Sequence, residues 1–356
     1  MLIIDSHLDL AWNALQWNRN LQQSVYTIRT QEGNLSGPGR GQGTVALPEL
    51  RMGRVGVCFA TLLARSTERL EPNLDYSSAL QAYAVAQGQL AYYHALSESG
   101  DVSLIKTLTE LDNHIIEWEQ WETDTQKNQP PIGLVISMES ADPILKPEQL
   151  PAWKDAGVRI IGPAHYGPGR YAGGTSTELG LTQDGVALLR EMESLGIILD
   201  VTHLSDQAFW QAIDSFGGIV IASHNNCRAL VPHQRQFDDK QIKAILARQG
   251  VIGAALDNWM LVPNWVRGAR DNPPATLEQV ADQIDYICQL AGSAEHVAIG
   301  SDLDGGFGRE QSPSDLDTIA DLQKLVGILT GRGYTAEEIA LIMHGNWLRL
   351  LRRAWV

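Results

Sequence analysis

The sequence predicts an α/β fold: a (β/α)₈ TIM-like barrel, forming a single domain with extended loops over the C-terminal face of its strands. Three observations carry this. A chain of 356 residues suits one barrel with insertions. Short apolar runs rich in β-branched residues recur along it, and most are continuous rather than alternating, as strands buried on both faces are. Helix-like segments follow most of these runs, and strand–helix alternation around eight runs closes into a barrel.

In chain order the predicted strands are Leu2–Ile4, Val55–Leu63, Ile132–Ser137, Val158–Ile161, Ile197–Val201, Ile219–Ala222, Val251–Leu256 and Val297–Gly300. Between the later runs the helices carry start signals. Thr182–Leu195 opens on a Thr cap and keeps apolar residues at helical spacing. Ser205–Phe216 opens on Ser-Asp and holds Ala208, Phe209 and Ile213. Asp238–Arg248, Thr276–Ala291 and Ser314–Gly331 behave similarly. An open doubly wound sheet is the structural alternative, but neither GxGxxG nor GxxxxGK[ST] follows a strand. The glycine-rich stretch 33–43, GNLSGPGRGQG, reads as a long mobile loop over the barrel mouth rather than a phosphate cradle. Residues 124–131, DTQKNQPP, read as a surface connection. No repeat or second domain interrupts residues 1–356.

Composition narrows the function. Hydrophobic residues make up 44% of the chain, enough for a large core, and the formal net charge is −15. That charge argues against nucleic acid and anionic membranes as main partners. Cys58, Cys227 and Cys288 are scattered and odd in number, so neither a disulfide framework nor a cysteine zinc ribbon is expected. The start, MLIIDSHLDLAW, lacks a basic n-region and a usable apolar stretch. No run approaches the roughly 18 apolar residues of a membrane helix, and the end, RLLRRAWV, has no anchor-type tail. These features predict a cytoplasmic location.

The chemistry-bearing residues share a position just past a predicted strand: His7 and Asp9, Glu139, His165, His203, His224 and Asp302. In a barrel those strand ends converge on one face. Imidazole and carboxylate are good zinc ligands. The i, i+2 spacing of His7 and Asp9 sends both side chains to one side of an extended segment. Glu139 has two oxygens and could bridge two ions, with His203 and His224 completing the second. Any one histidine after a strand is ordinarily a core or loop residue; it is the set that points to a metal. His94, His114, His296 and His344 lack this context and read as structural. Asp302, in GSDLDGG, is the candidate proton shuttle, with Asp304 competing for the role. Arg228 or Arg235 could hold a substrate carboxylate. Trp259 and Trp265 read as core or surface rather than pocket walls.

The pieces IDSHLDLAW, LPELRMGRVGVCFAT, VISMESADPIL, LDVTHLSDQAFW, ASHNNCRALVPHQRQFDD, IGSDLDGG and HGNWLRLL together resemble the membrane dipeptidase (renal dipeptidase) family of zinc peptidases, in its bacterial cytoplasmic branch. The resemblance runs over essentially the whole chain. It implies a binuclear site with two Zn²⁺ (or other divalent metals), bound by His7 and Asp9, bridged by Glu139, and completed by His203 and His224. It implies that Arg235 holds the substrate's C-terminal carboxylate, that Asp302 is the acid/base, and that His165 binds substrate. The implied reaction is hydrolysis of dipeptides, with a D-residue at the C-terminal position among the candidates, and the implied assembly is a homodimer. Other amide, lactone or β-lactam hydrolysis, and an inactive metal-binding scaffold, are the alternatives. Two departures bear on substrate choice: Ser-Ala-Asp after Glu139, where relatives commonly have glycine, and the Ala255–Trp259 segment.

Overall fold

The computed structural model describes residues 1–67, 69 and 71–355. Its strands are β1 (Ile3–Leu8), β2 (Val55–Leu62), β3 (Val102–Leu104), β4 (Ile132–Glu139), β5 (Val158–Gly162), β6 (Ile198–Asp200), β7 (Val220–Ile221), β8 (Ile252–Ala254) and β9 (Val297–Ile299). They form one parallel sheet ordered β7-β6-β5-β4-β2-β1-β9-β8. The ends of that order meet. Ala222 bridges Ile252 in parallel, with Ala222 N–H on Val251 O at 3.0 Å and Gly253 N–H on Ala222 O at 2.8 Å. The sheet is thus an eight-stranded barrel, as expected.

β3 is the addition. It pairs with the first half of β4 (Val102 opposite Ile132), while β5 takes the second half of the same edge (Glu139 opposite Gly162). Three residues, Val-Ser-Leu, are too short a run to read as a strand from periodicity.

The apolar residues divide into two layers, as the pleat requires. Ile4, Val57, Phe59, Val135, Ile160, Ile198 and Ile221 fill the barrel interior with Trp347. Ile3, Val55, Cys58, Leu134, Ile161 and Leu199 face the surrounding helices. The C-terminal helix Asn346–Ala354 closes the bottom. There Trp347 donates to Ile299 O at 2.9 Å and meets Phe59 edge-on, with ring centroids 5.2 Å apart. Higher in the barrel the strands approach closely. A Cβ on Gly300 would lie 1.8 Å from Ser223 O, and one on Gly253 2.0 Å from the same atom, so only glycine serves at either position.

The helices start where the sequence marks them. Thr182, Ser205, Asp238 and Thr276 each cap a helix through the side chain. The segment Ser314–Gly331 differs from its expected form. Ser314 Oγ donates to Ala275 O and Asp315 accepts from Leu277 N–H, so the first residues serve neighbouring backbone rather than a helix. A 3₁₀ turn, Ile319–Gln323, begins only after the Thr318 cap, and the α-helix is Lys324–Gly331. The stretch 33–43 is tied to its surroundings through its backbone. Arg29 binds Gly43 O at 2.8 Å, Arg19 binds Gly39 O at 2.7 Å, and Glu32 accepts from Gly41 N–H at 2.8 Å.

Candidate active site

The site begins with a break in the strand pleat. Ile4 belongs to the barrel interior and Leu8 to the outer layer, although regular alternation would put both on one face. The pairing of β1 with β2 shifts between Asp5 and Leu8: Asp5 is opposite Cys58 and Leu8 opposite Ala60. One extra residue is thereby inserted. A bulge of this kind re-aims side chains, and His7 and Asp9 turn into the barrel mouth. His7 therefore lies within β1, and Glu139 is the last residue of β4, each slightly earlier relative to its strand than expected. His203 and Asp302 leave their strands in the left-handed region, with φ of 67° and 57°. Such backbone is uncommon outside glycine and concentrates at functional sites.

Among the described residues, three groups place one ligand atom each within 4.8 Å of one another: His7, Asp9 and Glu139; Glu139, His203 and His224; and His7, His224 and Asp302. Glu139 belongs to two of them. Its Oε2 lies 3.5 Å from His7 Nε2, and its Oε1 lies 3.1 Å from His203 Nε2 and 3.5 Å from His224 Nε2. The outward nitrogens of the histidines are held by hydroxyls. Ser223 Oγ is 3.0 Å from His224 Nδ1 and 3.4 Å from His7 Nδ1, and Thr175 Oγ1 is 3.1 Å from His203 Nδ1. Thr61 donates to Asp9. Partners of this kind orient metal ligands and present Nε2 to the ion.

The electrostatics call for a cation. His7 Nε2 is buried without a hydrogen-bond partner. Burial opposes protonation of His7, yet Glu139, Asp9 and Asp302 raise it to about 10. Burial drives His203 down to about 3, with Arg235 adding to it. Burial pushes Asp302 well above the ordinary carboxylate range, and Glu139 and Asp9 push it the same way. Oxygen and imidazole donors crowded around an orphaned nitrogen suit divalent metal. His7, Asp9, Glu139, His203 and His224 are the residues that could hold it.

The remaining candidates separate by their contacts. Asp302 Oδ1 is 3.8 Å from His7 Nε2, and Asp302 lines a cleft of about 290 Å³ at the mouth, together with Asp9, Glu139, His165, His203 and Arg235. Asp304 is committed elsewhere: it pairs with Arg19 at 3.1 Å and accepts from Thr44 and Val45. Arg235 is buried; its guanidinium is set by Asn225 and by His224 O at 2.8 Å, while its Nε has no partner. Arg228 instead forks onto Asp206 at 2.7 and 3.0 Å. His165 Nε2 lies 3.5 Å from Glu139 Oε1, so the structure brings it to the cluster. Trp259 lines the cleft, contrary to its sequence reading, because the short helix Asn258–Leu261 follows directly on the β8 loop; Trp265 is not among the lining residues. His114, His296 and His344 bond backbone carbonyls of Gly56, Gly250 and Leu2, the structural use expected of them.

Sequence reasoning overlooked Arg65, Tyr166 and Arg69 among the residues lining the cleft. Arg65 follows β2 as closely as His203 follows β6. The rule that found the histidines would have found it, had arginine been admitted alongside ligand types.

A parallel barrel carrying a histidine–carboxylate cluster at the C-terminal ends of its strands defines a metal-dependent hydrolase. Comparison with known proteins takes this further. The model of the membrane dipeptidase family, peptidase family M19, matches residues 1–355, and the chain belongs to that family. Dipeptidase aclJ of Aspergillus oryzae is 24% identical over 356 residues, covering 98% of this chain and 77% of that protein. An uncharacterised protein from the pqqA 5' region of Klebsiella pneumoniae is 33% identical over 214 residues, 58% of this chain and 76% of the relative. A metallopeptidase from Rhodobacter sphaeroides, solved with a phosphinate mimic of the dipeptide L-Ala-D-Ala, shares the fold. Its TM-score is 0.78 at 21% identity, over 100% of this chain and 99% of that one. The protein is thus a hydrolase of the dipeptidase class. No helix among the described residues is long and apolar enough to cross a membrane.

Proposed function

We propose that this protein is a binuclear zinc dipeptidase acting on short peptides, including dipeptides with a D-residue at the C-terminal position. The observation that carries the reading is the pair of ligand groups sharing Glu139, with a buried arginine on the same cleft. His7 and Asp9 would hold one ion, His203 and His224 the other, and Glu139 both. When bound, the ions supply Lewis acidity toward the scissile carbonyl and make water acidic enough to attack at neutral pH.

The chain's own residues do the rest. Arg235 receives the substrate's C-terminal carboxylate on a guanidinium already fixed by Asn225 and the His224 carbonyl, which limits the enzyme to short substrates. His165 directs its imidazole toward the carbonyl oxygen and stabilises the charge that develops there. Asp302, desolvated at the cleft floor, takes a proton from the attacking water and delivers it to the leaving amine. The Rhodobacter protein's dipeptide mimic supports a D-residue at the second position. Three buried free thiols support a reducing, cytoplasmic setting, and a homodimer is part of the same reading.

The test is hydrolysis of a dipeptide panel, D-residues included, by protein of measured metal content. Turnover abolished by a chelator and restored by zinc is the expected result. Two bound metals without turnover on any dipeptide would overturn the substrate reading and point to another amide, lactone or lactam.

A further inference from the structure

His165 stands among the site histidines yet is held differently from them. His7, His203 and His224 present Nδ1 to hydroxyls. A hydroxyl either donates or accepts, so each of these rings can carry its proton on Nδ1 and keep the Nε2 lone pair for a metal. His165 Nδ1 faces Arg65 Nη1 at 2.7 Å. A guanidinium only donates. His165 Nδ1 must therefore accept, and a neutral ring then carries its proton on Nε2, which points to the metal cluster 3.5 Å from Glu139 Oε1.

Arg65 is itself locked. Its side chain is 1% exposed and that of Asp75 is 0% exposed. Arg65 Nε and Nη2 fork onto Asp75 at 2.9 and 2.7 Å, leaving Nη1 for the imidazole. Asp75 is fixed in turn by Thr67 Oγ1 at 2.8 Å and Glu71 N–H at 3.0 Å. The backbone closes the same loop, with Arg65 N–H on Leu74 O at 2.9 Å and Tyr76 N–H on Arg65 O at 2.8 Å.

We propose that Arg65 and Asp75 are positioning residues that hold His165 as the Nε2–H tautomer, making it a hydrogen-bond donor to the substrate carbonyl and barring it from the metal. The proposal rests on the role of His165 given above. It also accounts for a histidine beside the cluster that is not a ligand: its only free nitrogen bears a proton.

The first measurement is a long-range ¹H–¹⁵N spectrum of histidine-labelled, zinc-loaded wild-type enzyme, with His165 assigned by its loss in His165→Ala. A proton on Nε2 is expected; a proton on Nδ1 overturns the proposal without any Arg65 variant having to fold. The second is a cycle of Arg65→Met, His165→Ala and the double variant, with metal content, kcat and KM measured. Arg65→Met is expected to keep both metals and lose kcat by about 10²-fold, the usual effect of one misplaced oxyanion donor. KM should change far less, Arg65→Lys should restore part of the loss, and adding Arg65→Met to His165→Ala should cost nothing further. Additive losses would show that Arg65 acts independently of His165 and overturn the proposal. Wild-type kcat in His165→Ala would remove the role of His165 itself, a result distinct from failure of the Arg65 coupling.

Discussion

At the scale of single residues, the site turns on which of two similar side chains is left free. Asp302 and Asp304 sit two positions apart with nearly equal left-handed φ, 57° and 62°. Asp304 is consumed by Arg19 and Thr44, whereas Asp302 faces the cleft. Asp302→Asn keeps the shape and removes the proton acceptor. It is expected to lower kcat by about 10²–10⁴-fold, the range of general acid–base contributions, with metal content unchanged by elemental analysis; loss of metal in parallel would make Asp302 a ligand instead. Arg235 and Arg228 divide the same way, since Arg235 lines the cleft whereas the Arg228 fork is taken up by Asp206. Arg235→Ala should raise KM for free-carboxylate dipeptides by about 10–100-fold, because a charged hydrogen bond contributes about 1.5–3 kcal/mol. Substrates amidated at the C-terminus should be equally poor for both enzymes. A normal KM in the variant would remove Arg235 from the carboxylate site.

At the scale of elements, strands deliver the candidate ligands and departures from regular geometry aim them. The β1 bulge turns His7 and Asp9 into the mouth, and the turn after β4 does comparable work. Ser140, directly behind Glu139, has φ of 81°, a conformation glycine adopts without penalty. Serine adds backbone strain beside Glu139, and left-handed backbone costs an L-residue about 1–2 kcal/mol. Ser140→Gly forfeits the buried hydroxyl's hydrogen bonding to Asp142, including a 3.4 Å contact to its N–H. It is expected to raise thermal stability modestly in a calorimetric scan and to leave metal content unchanged. A marked drop in Tm would mean that the serine's own contacts outweigh the strain.

At the scale of the whole molecule, the candidate metal-binding cluster draws on distant parts of the barrel, joining residues from β1, β4 and the segments after β6 and β7. An ion bound by the folded state alone stabilises it by mass action, by about 4 kcal/mol at a thousandfold excess over Kd. Chelation should therefore lower Tm and zinc should restore it; a Tm indifferent to chelator would argue against ligands drawn from opposite sides of the barrel. The barrel itself was legible from residues alone, because its strands are buried on both faces and so read as continuous apolar runs. The caps at Thr182, Ser205, Asp238 and Thr276 were legible too, being set by residues within three positions of the cap. The ligand types at strand ends were visible because strand ends converge in this fold whatever the loops do. What only the tertiary structure decided is direction and partnership. The β1 bulge depends on pairing with β2, and β3 depends on an edge of β4 that β5 leaves open. The division of labour between Asp302 and Asp304 depends on Arg19, 285 residues from Asp304 in the chain. The hold of Arg65 on His165 spans 100 residues. No local pattern encodes these contacts, because a hydrogen bond between distant residues is specified by where the closed barrel puts them and not by their neighbours in sequence.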